Sequence, residues 1–143
     1  MAERAAGLEA FDALIGTWDT EARHPMLDAV VPGTITFEWL EGGHFLVQRS
    51  RNEHELFPDA ICVIGGPEEG DGLRMEYFDS RGVRRTYAIS FEDGELRIWR
   101  DEPGFEQRFV AAPSRAGYEG LFQLARTPGD WQDDLKVTYR RRD

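Results

Sequence analysis

Residues 73–100 read LRMEYFDSRGVRRTYAISFEDGELRIWR, and their apolar members recur at every second position: Leu73, Met75 and Tyr77, then Tyr87, Ile89 and Phe91, then Leu96 and Ile98. Period two is the repeat of a strand with one buried face. The two interruptions carry turn chemistry. Ser80-Arg81-Gly82 suits a type I turn followed by glycine at positive φ, and Asp93-Gly94 suits the type I′ turn of a two-residue hairpin. Residues opposite each other in an antiparallel pair point to the same side of the sheet. The turns therefore set Tyr77 against Arg85, Met75 against Tyr87, Leu73 against Ile89, Phe91 against Leu96, Ile89 against Ile98 and Tyr87 against Arg100. The apolar sets agree, and the segment reads as a three-stranded meander with one interior face.

The same alternation extends in both directions. Candidate strands run roughly over 16–24, 32–40, 44–51, 58–65, 72–79, 83–92, 94–101, 105–111, 117–125 and 131–141, separated by Gly, Pro, Asp and Asn clusters. A Gly42-Gly43 turn pairs Trp39 with Leu46, Phe37 with Gln48 and Ile35 with Ser50, and a four-residue loop Asp101–Gly104 sets Ile98 against Gln107 and Leu96 against Phe109. No link holds a helix-length pattern able to carry a parallel crossover. Only Leu8–Ile15 (LEAFDALI) looks helical, placed to plug one end. The expected fold is all-β: an up-and-down antiparallel barrel of about ten strands with a short N-terminal helix, because closure removes the two edges an open meander would expose.

At 143 residues the chain is expected to form one domain, 1–143. Its formal net charge of −10, from 17 Lys and Arg against 27 Asp and Glu, opposes binding to nucleic acid or to anionic membranes. No apolar run approaches the ~20 residues of a membrane helix, and Met1–Ala10 is charged and lacks the apolar stretch of a signal peptide, so a cytoplasmic protein is expected. The single cysteine, Cys62, allows no intramolecular disulfide and reads as a small core residue.

Leu14-Ile15-Gly16-Thr17-Trp18 resembles the Gly-x-Trp signature that opens the first strand of calycins, the lipocalin and fatty-acid-binding-protein group. Calycin barrels place a basic residue of the last strand over that tryptophan, and Arg140, Arg141 and Arg142 are available for such a cation–π contact. With Phe37–Gly43, Tyr77–Gly82 and Trp99-Arg100-Asp101, the chain looks like uncharacterised bacterial single-domain calycin-like families, similar in size and architecture to nitrobindins. The resemblance implies a binding barrel and carries no established reaction. Nitrobindins hold haem through a histidine late in the chain, whereas His24, His44 and His54 all lie in the first half, and no cofactor is expected.

If the first strand leaves the closed end at Gly16, then Trp18, Trp39, Leu46, Leu73, Phe91, Leu96 and Phe109 fall toward the floor. Gln48, Ser50, Tyr77, Arg85, Tyr87, Arg100 and Gln107 share the inner face in the mouth half, and His24, roughly 20 Å along its strand from Trp18, sits near the mouth. A packed core has no use for these polar groups. Either carboxylates such as Asp79 or Asp133 pair with them inside, or they orient a ligand. No metal-binding spacing, nucleophile elbow, phosphate loop or dinucleotide fingerprint occurs. Three readings follow. One is a module that binds a small, partly apolar, anionic or carbonyl-bearing molecule. Another is a cofactor-free isomerase, cyclase or lyase in which His24 or a tyrosine such as Tyr87 is general acid or base and an arginine such as Arg100 stands near a developing oxyanion. The last is a packed barrel that forms a homodimer through one face and takes no ligand.

Overall fold

The computed structural model describes residues 5–142. The opening stretch, read above as free of a signal peptide, thus falls partly outside the described residues. Ten strands follow one another along the chain: β1 (Gly16–Arg23), β2 (Val31–Trp39), β3 (Leu46–Asn52), β4 (Ala60–Gly65), β5 (Leu73–Asp79), β6 (Arg84–Glu92), β7 (Glu95–Arg100), β8 (Glu106–Ala111), β9 (Gly117–Ala125) and β10 (Gln132–Arg141). Each pairs antiparallel with its neighbours in sequence, and β1 pairs with both β2 and β10, so the sheet closes. Strand by strand, alternation places one set of side chains inside: Trp18, Thr20 and Ala22 on β1 are buried while Asp19, Glu21 and Arg23 are exposed.

The helical stretch is a 3-10 helix, Glu9–Leu14. Leu8, Phe11 and Leu14 are buried, and Phe11 meets Phe91 edge to face at 5.6 Å, so this segment plugs the floor. Asp12 accepts a hydrogen bond from the Trp39 indole at 2.9 Å, tying the plug to the end of β2. Beside it, Trp18 is fully buried; its indole N–H donates to the Leu14 carbonyl at 2.9 Å and the Arg141 guanidinium lies over its ring at 4.2 Å. Arg141 also donates to the carbonyls of Ile15, Ala13 and Arg115 at 2.8, 2.6 and 2.7 Å. One side chain of the last strand thereby satisfies two backbone acceptors where the 3-10 helix ends and one in the β8–β9 loop, acceptors that would otherwise need water.

The turns behave as their residues demand. Asp93 and Gly94 both have positive φ, 52° and 78°, as a type I′ turn requires, and β5, β6 and β7 take the expected register from Tyr77–Arg85 to Ile89–Ile98. The β2–β3 loop is wider than a two-residue turn, with the Leu40 N–H bonded to the Phe45 carbonyl, yet Trp39–Leu46, Phe37–Gln48 and Ile35–Ser50 pair as expected.

Two expectations need correction at the mouth. The β7–β8 hairpin is shifted by two residues: Ile98 faces Phe109, Leu96 faces Ala111 and Arg100 faces Gln107. The turn spans Glu102–Phe105, closed by the Phe105 N–H on the Glu102 carbonyl at 2.9 Å, because Pro103 supplies the fixed φ of its second position and Gly104, at φ 79°, the positive φ of its third. A slip of two keeps each side chain on its face, so the interior survives the correction. The β6–β7 ladder stops at Ala88–Trp99, short of the expected Tyr87–Arg100 pair.

Candidate functional site

Above the floor the barrel is not filled. A cavity of about 330 Å³ opens toward the mouth, its lower walls made by apolar residues such as Ile35, Phe37, Met75, Leu96 and Phe109. The volume lies near the lower end of the ~300–1,000 Å³ usual for ligand pockets. At about 30 Å³ for each water in the liquid it matches roughly eleven waters, or a ligand of ten to fifteen non-hydrogen atoms. Gly120 helps to shape it. A Cβ there would lie 2.2 Å from the Phe109 ring, so only glycine lets that ring lie against β9.

Of the residues expected at a site, Gln48, Ser50, Tyr77, Arg85, Tyr87 and Gln107 line this cavity. Their partners divide them. The Tyr77 hydroxyl donates to Asp79 at 2.7 Å, and Tyr87 donates to the Gln107 side-chain carbonyl at 3.2 Å. Asp79 also takes Arg81 through Nη2 at 2.7 Å and Nε at 3.2 Å, and the backbone N–H groups of Arg81 and Val83 at 2.9 and 3.2 Å. Arg81 above all, then Tyr77 and the two amides, hold the Asp79 carboxyl far below the usual carboxylate range; burial, then the Asp79 carboxylate, pushes Tyr77 up. For Tyr77 the internal-carboxylate reading is therefore the observed one. Asp133 does not play that part: it accepts from Gln123 at 2.9 Å.

Arg85 differs. Its guanidinium stands 5.5 Å from the Phe105 ring centroid and has neither a hydrogen-bond nor an ion-pair partner among the described residues. The side chains of Gln48 and Ser50 likewise make no hydrogen bond there. The cavity thus offers a cation and two neutral polar groups whose partners the protein does not supply.

Two expected residues are not in the lining. His24, just past the end of β1, sits at the rim with Nε2 3.3 Å from Asp134 and Nδ1 accepting the Met26 N–H at 3.0 Å; Asp134 lines the cavity and the imidazole does not. Arg100 lies in a second, open groove with Trp99, Arg74, Arg84 and Arg85, which borders both spaces, and its nearest acid is Glu102 at 3.6 Å. Arg100 keeps the inward parity of Gln107, its partner on β8, but its guanidinium lies beside Glu102 in the outer groove.

Sequence reasoning missed Thr20, Arg81, Tyr118 and Tyr139, all of which line the cavity. Thr20 pairs in register with Tyr139, and Tyr139 with Tyr118, one inward position above the Trp18–Arg141 pair. The two phenol rings stack at 4.3 Å and 14°, and Tyr118 meets Trp18 edge to face at 5.1 Å. Burial raises the pKa of both, and each phenol keeps its proton across the physiological range. The signal was available: once Arg141 faces Trp18, period two places Tyr139 and Val137 inside as well. A bulge between Asp133 and Leu135 breaks that period from the mouth end.

The cavity holds no histidine that could ligate a haem iron. None of His24, His44 or His54 lines the cavity, and burial pushes the Cys62 thiol up to about 12, so it offers no ready thiolate. Among the described residues no three His, Cys, Asp or Glu side chains converge as a metal site requires, and no helix is long and apolar enough to cross a membrane.

No family model matches the sequence, and no curated protein matches it. Among solved structures, the crystal structure of Rv2717c from M. tuberculosis is similar to this chain over 99% of its length and 100% of that protein's, with a TM-score of 0.68 and 12% sequence identity. At that identity the likeness is one of fold.

Proposed function

We propose that this barrel binds a small, partly apolar molecule bearing an anionic or carbonyl group, in the manner of a calycin-like binding module. The observation that carries the reading is Arg85: a cation lining an apolar-walled cavity, with no carboxylate or hydrogen-bond partner among the described residues. A guanidinium so placed is satisfied by water in the empty protein and by a ligand's oxygen atoms in the loaded one, with a gain typical of charge-assisted bonds. The contact of Arg141 with Trp18 at the closed end supports the calycin setting. Acid–base chemistry has less behind it. His24, beside Asp134, does not itself line the cavity, and the raised pKa values of Tyr77, Tyr118 and Tyr139 make them poor bases near neutral pH.

The test is native mass spectrometry of the protein purified from its own host, wild type beside Arg85→Met. A retained molecule of on the order of ten to fifteen non-hydrogen atoms in the wild type, depleted in the variant, is expected. Wild-type protein that carries nothing, under conditions that preserve weak complexes, overturns the reading.

A further inference from the structure

The stacked pair at the bottom of the cavity has unused donors. Tyr118 and Tyr139 are each at least nine-tenths buried, and neither hydroxyl has a hydrogen-bond partner among the described residues. No buried side-chain oxygen or nitrogen there lacks a partner, so these two must open onto accessible space, and the space that both residues line is the cavity. The Thr20 hydroxyl, next to Tyr139 in register and also without a partner, opens the same way.

We propose that Tyr118, Tyr139 and Thr20 form a deep subsite that recognises an uncharged carbonyl oxygen, so that the ligand enters carbonyl first and leaves an anionic end at the mouth beside Arg85. The proposal rests on the cavity being a binding site and adds the class and direction of its occupant. Three features carry it. Tyr118 and Tyr139 are register partners with near-parallel rings 4.3 Å apart, close enough for both hydroxyls to reach one oxygen at ordinary lengths of about 2.7–2.8 Å. The acceptor is uncharged because no cation faces it from the cavity floor: Arg141 lies over the Trp18 ring and spends its donors on three carbonyls. The other cations of the lining are at the mouth, where Arg81 is committed to Asp79 and Arg108 to Gln123, which leaves Arg85.

The spacing suits a short molecule. Tyr139 is one inward position above Arg141, whereas Arg85 is three inward positions above Phe91, which packs on the floor plug. At ~3.3 Å per residue and a strand tilt of ~40°, the two ends are roughly 10 Å apart along the axis, and the arginine side chain reaches down part of that way.

A matched pair of probes tests this: 4-acetylbenzoate, and 4-ethylbenzoate, which lacks only the ketone oxygen. Dissociation constants are measured by calorimetry on wild type, Tyr118→Phe, Tyr139→Phe and the double variant, with thermal unfolding of each as a control for folding. Wild type should prefer the ketone about tenfold, each single variant should lose about three- to fivefold of that preference, and the double variant should bind both probes equally, with 4-ethylbenzoate affinity unchanged throughout. Equal binding of both probes by wild type, or a preference that survives in a folded double variant, overturns the deep subsite while leaving cavity binding standing. Failure of wild type to bind either probe overturns both.

Discussion

Replacing Asp79 with asparagine perturbs the one carboxylate that organises the β5–β6 side of the mouth. Its two oxygens accept five hydrogen bonds, and its side chain is sealed from solvent by those partners. The Asp79→Asn side chain would keep one oxygen for the Arg81 and Val83 amides but present an NH₂ to the Arg81 guanidinium and the Tyr77 hydroxyl. Bonds to charged groups contribute about 1.5–3 kcal/mol each. Arg81 is half exposed and recovers water, and few atoms lie behind the carboxylate, so its share is discounted and the total falls to about 2–4 kcal/mol. For a chain of this length that is a drop in Tm of roughly 6–12 °C. The pH dependence has a definite sign. A carboxyl whose folded pKa lies below its unfolded value of about 3.9 contributes fully above that value and loses its contribution as pH falls through the folded one. The gap between wild type and variant, followed by circular dichroism melts, should be constant from pH 7 to about 5 and narrow only below about 4. An unchanged Tm, or a gap already closed at pH 6, would refute the assignment.

Arg141→Met removes three hydrogen bonds to carbonyls and the contact over Trp18, and should lower stability in urea by about 2–4 kcal/mol. Gly120→Ala drives a methyl group into the Phe109 ring, and a loss of about 1–3 kcal/mol in the same assay is expected; equal stability would mean that β9 yields there at no cost. Arg85→Met should cost the empty protein less than about 1 kcal/mol, since only the Phe105 contact is lost, while weakening 4-acetylbenzoate binding about tenfold or more. Arg100→Met, in the outer groove beside Glu102, should change neither stability by more than about 0.5 kcal/mol nor probe binding.

Much of the fold was legible because a strand's period and its turn residues are local. Tyr77–Arg85 and Ile89–Ile98 face each other for reasons contained in Ser80-Arg81-Gly82 and Asp93-Gly94, and Trp18 under Arg141 follows from a short signature near one end of the chain and arginines at the other. Parity also placed six polar residues in the cavity lining. It failed at one local turn, where Pro103-Gly104 outweighed the four-residue reading, and otherwise where the outcome depended on more than one strand. Pro103-Gly104 took the tight turn that Asp101–Gly104 was expected to make, the β6–β7 ladder ended early, and Arg100 passed from the interior to an outer groove. His24 has the right parity and still points to Asp134, a residue exposed at the rim by a bulge on β10. Which polar groups keep a free bond is likewise tertiary. Tyr77 and Tyr139 are both inward tyrosines, but Asp79 stands two residues from one, and the other has no hydrogen-bond partner among the described residues. Local sequence determines which way a side chain faces; only closure of the barrel brings ten strands around one space and decides which hydroxyls and which arginine meet no partner within it.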